Sequence, residues 1–187
     1  MNTRLQKILT RVHFVTLAIA ILNSLFKHFA NYSLSGNIEM GVEALVVLSG
    51  LVLFFFYLKP FKGISLYFSV YATAAFLFII GVIFRGIFWA IVLSILLFPL
   101  IPEDTQYEEN GIIITVPFQG FLAPCCSYQI KERQFLIFEK GYGIWNLEGE
   151  GPIQFETVSI SSSEDEFEIT YSTTFDEGIM KKKRVKR

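Results

Sequence analysis

His13, Thr16, Asn23 and Lys27 fall at helical spacing, with Ala20 between them, in an otherwise apolar run. Steps of three and four place them on one face of a helix. Together with His28 and with Glu39 and Glu43 of the next apolar segment, they have the residue types of a proton or ion path, because ionisable groups within a membrane are functional candidates by default. A plainer reading exists. Asn37 stands where a helix cap would, acids in a first turn are favoured by the helix dipole, and Lys27, His28, Glu39 and Glu43 lie toward one end within reach of water. No charge sits at mid-membrane, and the chain has neither an internal repeat nor a broken helix pair of the transporter kind. The expectation is therefore a packed face that avoids lipid, with conduction as the alternative.

The C-terminal half offers less chemistry. It contains no histidine, so a Ser-His, Cys-His or histidine-ligated metal site within it is excluded. Cys125-Cys126 is the whole cysteine supply, too few ligands for a closed zinc site, and reduced, inert thiols are expected. Glu164-Asp165-Glu166 lacks the spaced oxygens and glycine of a calcium loop and reads as a solvated turn. No phosphate-binding glycine loop is present. No catalytic, cofactor or metal residues are expected. The ending Lys181-Lys182-Lys183-Arg184-Val185-Lys186-Arg187 either lies on anionic headgroups or is solvated or folded back on its own acids. Nucleic acid is not an expected partner, since the acidic residues before it would repel phosphate.

These residues need elements to hold them, and hydropathy supplies the first set. Of 187 residues 52% are apolar and 16% aromatic. Up to Pro102 there are seven Lys/Arg and two acids; from Glu103 on there are nine and fifteen, so the net charge of -1 hides +5 against -6. Apolar segments run over 12–30, 40–58, 64–84 and 86–101. As one helix, Ile64 to Ile101 would be about 57 Å long, nearly twice the ~30 Å hydrocarbon layer. Arg85-Gly86 is the polar, flexible point near its middle, so Arg85 is expected at headgroup level in a tight hairpin. The expected fold of 1–102 is a four-helix transmembrane domain, its third and fourth helices packing through Ser65, Ser69 and Thr73 and through Gly86, Ala90 and Ser94. The fourth segment is short and ends at Pro99 and Pro102, which leaves a re-entrant hairpin as its alternative.

Lysine and arginine set the sidedness. Arg4, Lys7 and Arg11 precede the first span, Lys59 and Lys62 fill the second connection, and the basic tail 181–187 ends the chain. Both termini are thus expected in the cytoplasm of a multi-pass plasma-membrane protein, with the connection Asn31 to Ile38 outside. That connection carries Asn31-Tyr32-Ser33, a glycosylation triplet that matters only in a eukaryotic secretory pathway. The first segment is expected to be retained rather than cleaved, given its length and the polar Lys27-His28 that follow.

Beyond Pro102 the hydrophobic period becomes two. Phe167, Ile169 and Tyr171 alternate with polar residues, and short runs at 112–116, 128–130, 135–139, 144–147 and 155–160 are divided by turn-formers such as Asn110-Gly111 and Gly141-Tyr142-Gly143. Region 103–180 is expected to be a small all-β antiparallel meander, closed as a barrel or sandwich, and too small for a large core. The functional expectation is a non-catalytic membrane protein that anchors a cytosolic β domain for a protein partner, in a regulatory, accessory or immunity-type role. Its partners would be membrane lipids, that unidentified protein and a possible second copy of itself. A small transporter or channel subunit using the polar face of the first span is the alternative.

Overall fold

The structure, a computed structural model, describes residues 3–58, 63–84, 86–97, 103–117, 126–135, 137–147, 149–163, 166–176 and 178–186. The expectations for Arg85, Lys59, Lys62, Cys125, Glu164, Asp165 and Arg187 fall outside these residues. The chain divides into two compact units, Met1–Leu25 with Gly36–Pro102, and Phe26–Ser35 with Glu103–Arg187.

The first unit is helical: α1 (Thr3–Ala30, whose last turns belong to the second unit), α2 (Gly36–Tyr57), α3 (Gly63–Phe84) and α4 (Ile87–Leu97). Each is a proline-free apolar run. The 22 residues of α2 or of α3 extend about 33 Å, enough for a bilayer core, whereas the 11 of α4 reach only about 16 Å. Among the described residues, three helices are long and apolar enough to cross, fewer than the four expected. On α2 the buried positions Val46, Ser49, Gly50 and Leu53 form one helical stripe. Much of the remaining apolar surface is uncovered, with Phe55 66% and Ile83 68% exposed, a pattern suited to lipid. The Ser65, Ser69, Thr73 stripe is not the packing face. Ser65 is buried, but Ser69 turns its hydroxyl onto its own Leu66 carbonyl at 2.7 Å and Thr73 is exposed. A serine satisfied within its own helix needs no neighbour. Ser94 likewise donates to Ala90 O at 2.8 Å, while on α3 Gly81 lies against Leu93 of α4.

The second unit is all-antiparallel apart from the end of α1. One sheet has the order β1-β5-β4-β3-β2, built from β1 (Tyr32–Leu34), β2 (Asp104–Glu109), β3 (Ile112–Val116), β4 (Ser127–Gln134) and β5 (Phe138–Asn146). The other has the order β6-β7-β8, from Ser159–Ser162, Glu166–Tyr171 and Lys181–Lys186. Their inner faces share a core of Ile112, Ile114, Tyr128, Ile130, Trp145, Phe167, Ile169 and Tyr171. Trp145 meets Tyr171 edge-on at 4.6 Å between ring centroids.

Several expectations change here. The runs 135–139 and 144–147 largely merge into one strand, β5, because Gly141-Tyr142-Gly143 makes no reversal. Gln129 faces Ile144 and Lys131 faces Gly141, so β5 carries one extra residue, a bulge that Gly143 accommodates at φ +99°. Asn110-Gly111 does turn the chain, both residues at positive φ between Glu109 and Ile112, the geometry of a two-residue hairpin. Phe155–Thr157 is a short 3-10 turn rather than strand. Residues Lys181–Lys186 of the supposed tail form β8, paired along its length with β7.

The largest change concerns Asn31 to Ile38, expected as a free outer loop. Its Tyr32, Ser33 and Leu34 pair with Lys140, Glu139 and Phe138 of β5. A segment expected outside thereby belongs to the same sheet as a domain expected inside, so those two expectations are incompatible.

Candidate functional site

Two polar clusters stand out, one in each unit. In the first, α1 carries His13 fully buried. Its Nδ1 is 2.9 Å from Ser49 Oγ of α2 and its Nε2 is 2.9 Å from Tyr67 Oη of α3. Tyr67 Oη is in turn 2.9 Å from Tyr71 Oη. A neutral imidazole offers one donor and one acceptor, and hydroxyls can play either part, so the chain Ser49–His13–Tyr67–Tyr71 can satisfy every member. The approach of α2 to α3 depends on Gly50, where a Cβ would lie 2.7 Å from Tyr71 Cγ. Phe68, also fully buried, packs its ring 5.2 Å from His13 and stacks on Tyr57 at 5.4 Å. Three helices are thus tied through one imidazole.

The other residues of the stripe are dispersed. Thr16 donates to the Val12 and His13 carbonyls of its own helix. Asn23 Nδ2 donates to Glu39 Oε1 at 2.9 Å, joining α1 to the start of α2. Glu43 is half-buried on α2. Lys27 belongs to the other unit altogether.

There Lys27 Nζ donates to Glu103 Oε1 at 3.1 Å, and Glu103 Oε2 lies 2.5 Å from Lys131 Nζ and accepts from the Thr115 hydroxyl at 3.0 Å. Lys131 also lies 3.5 Å from Glu139. Lys131 is 2% exposed and Glu139 5%. Alternation explains the placement: Tyr128 and Ile130 of β4 face the core, so Lys131 must point to the other face. Burial alone would raise the Glu103 carboxyl, but Lys131, and then Lys27, outweigh it and hold it below the ordinary carboxylate range. An ion network of this kind fixes geometry, since removing one member strands a buried charge.

Three basic residues of β8 pair with acids. Lys182 and Arg184 both donate to the Glu168 carboxylate, at 2.6 and 3.0 Å, and Lys181 bridges Glu150 and Asp176 at 2.8 and 2.7 Å. Headgroup contact by these three would have to compete with ion pairs already made. Cys126 stands in disulfide form in the structure, whereas reduced thiols were expected. Among the described residues, no three His, Cys, Asp or Glu are grouped to hold a metal ion.

Sequence reading found His13 but not Ser49, Tyr67 or Tyr71, and found Lys27 but not Glu103, Lys131 or Glu139. Helical spacing marks one face of one helix. The direct partners Ser49, Tyr67 and Glu103 stand 36 to 76 residues away along the chain, where no local period reaches. Comparison with protein families, with curated proteins and with solved structures finds no match.

Proposed function

We propose that this chain is a three-span membrane protein that holds its β domain on the extracytoplasmic side, as a non-catalytic accessory or immunity-type module for a protein partner. The observation that carries the reading is β1. If α1 and α2 both cross, the segment joining them is on the side opposite the N terminus, and the sheet that takes up β1 is there too. Between β1 and β2 the chain must then cross an even number of times. Crossings by α2 and α3 satisfy this, with α4, of 11 described residues, returning to the side it came from.

Charge supplies the direction. Arg4, Lys7 and Arg11 in the N-terminal turns of α1, and Lys59 and Lys62 between α2 and α3, belong in the cytoplasm by the positive-inside rule. The domain then faces out, reversing the expectation of a cytosolic domain with both termini inside. A disulfide at Cys126 accords with an oxidising compartment. The polar stripe of α1 supports anchorage over conduction, because both ring nitrogens of His13 are engaged in joining helices.

Single cysteines test the arrangement. Ser161→Cys on exposed β6 should take up a membrane-impermeant maleimide in cells whose inner membrane is intact, and Arg4→Cys only after permeabilisation. The opposite pattern, or protection of both, would sink the reading. The accessory role is tested by replacing His13, Asn23 and Glu43 together with apolar residues. A transporter would lose its flux, whereas an anchor that still inserts keeps its partner.

A further inference from the structure

The two sheets of the β unit end in the edge strands β1, β2, β6 and β8. An open edge is a template for a further strand. β1 is only three residues long. β2 and β6 close on one another: the Tyr107 hydroxyl donates to Val158 O at 3.0 Å, and the Ile160 N–H donates to Glu109 Oε2 at 3.2 Å. There remains β8, six residues of which five are basic.

The Ile160 bond also fixes which backbone groups β8 leaves open, because successive residues of an antiparallel strand bond to opposite sides. The Ile160 N–H points away from β7, so its partner Ile169 turns its own groups toward β8, where it faces Lys183. Lys181, Lys183 and Val185 therefore bond β7, and Lys182, Arg184 and Lys186 present their N–H and C=O groups outward. Among the described residues no strand takes them up. The side chains of these three lie on the face of Glu168. That one carboxylate serves both Lys182 and Arg184, whose side chains stay 62% and 69% exposed, and Lys186 makes no ion pair among the described residues. On the other face Val185 packs against the core, while Ile179 and Met180, just ahead of the strand, are 58% and 52% exposed.

We propose that the outer edge of β8 binds an extended acidic segment of a protein partner, which adds to the sheet as an antiparallel strand. The guest backbone completes the outward groups of Lys182, Arg184 and Lys186, and its acids lie on the face of those cations. Its alternate residues are apolar and lie beside Val185, and its C-terminal end lies beside Ile179 and Met180. A second copy of β8 does not fit, because like charges would stand directly opposite one another. The acids elsewhere in the domain oppose the guest only weakly, since charges more than about 10 Å away are screened at ordinary salt. The inference rests on the reading of the β domain as a module for a protein partner, and it holds on either side of the membrane.

The test uses the full-length protein in detergent and a short synthetic peptide that alternates glutamate with valine. Saturable binding is expected, with residue-resolved hydrogen exchange slowed at the amides of Lys182, Arg184 and Lys186, which are open in the free protein. The double variant Lys182→Glu with Lys186→Glu should bind about tenfold more weakly while its β7 amides stay protected. The same peptide methylated on its backbone nitrogens keeps its charge, loses its donors and should not bind. Equal binding of the methylated peptide, or slowing that spares those three amides, would overturn strand addition in favour of bare charge attraction. Equal binding of a peptide with lysine in place of glutamate, or binding of neither, also overturns it. Slowing of the same amides by anionic phospholipid vesicles but not by the peptide overturns it in favour of lipid. None of these outcomes bears on sidedness: a Ser161→Cys labelled only after permeabilisation would remove the extracytoplasmic placement and leave the peptide binding as it stands.

Discussion

Lys131 is the residue on which the β domain's polar face depends. Replacing it with Ala removes the cation between Glu103 and Glu139 and leaves two carboxylates in a site where Lys131 itself was 2% exposed. The expected loss is about 3 to 5 kcal/mol, read as a large drop in the melting temperature of the domain. Glu103 gives the pH dependence. Its folded carboxyl is held low by Lys131 and Lys27, so its contribution is fully present above the unfolded value of about 4.3 and is lost as pH falls through the folded one. Stability should be flat from pH 7 to about 5 and fall below that. In Glu103→Gln the fall should be shallower, and a variant as steep as the parent would show that other carboxylates carry it. Gly50 is the third such position. Gly50→Ala would drive a methyl into the Tyr71 ring and should destabilise the bundle by about 1 to 3 kcal/mol in detergent melts. Gly41→Ala, with nothing within 4 Å of the new Cβ, should be neutral or stabilising by up to about 1 kcal/mol.

Among the elements, β1 is the smallest and has the largest consequence. Three residues tie the connection of a helical hairpin into a sheet otherwise built beyond residue 103. Ser35→Pro deletes the N–H that bonds Ile137 O without disturbing α2, where proline is tolerated ahead of the first turn. The expected effect is about 0.5 to 1.5 kcal/mol and faster hydrogen exchange confined to the β1 edge and the adjoining end of β5. Uniformly faster exchange throughout the domain would show instead that β1 is part of its global fold. The strand β8 presents the opposite case. It lies at the edge of its sheet with four adjacent basic residues, a device that discourages edge-to-edge association, and Glu168 is its counter-charge. Glu168→Ala should accelerate exchange in β8 at low salt, with the difference shrinking as salt screens the pairs. A difference independent of salt would mean that packing of Val185 holds the strand.

For the whole molecule, sidedness and oxidation belong together. Protein purified without reductant and denatured should resist maleimide at Cys126 until a reductant is added. Immediate labelling would remove the oxidised state and weaken the extracytoplasmic placement. The parity argument is independent of it, since that depends on β1 and on which helices are long enough to cross.

The helical first half, the antiparallel second half, the Asn110-Gly111 turn and the polar spacing of α1 were legible in the sequence, because each is set by local periodicity, hydropathy or the backbone freedom of one or two residues. Hydropathy could not show that only three of the described helices are long enough to span, as it measures apolar length without showing where a helix stops. Nor could alternation reveal that Gly141 to Gly143 is a bulge, since the same glycines serve a turn equally well and the facing strand decides. The union of β1 with β5, the buried network around Lys131 and the partners of His13 came only from tertiary structure. Each joins residues far apart in the chain, and hydrogen bonds and ion pairs across such distances leave no period in the sequence to read.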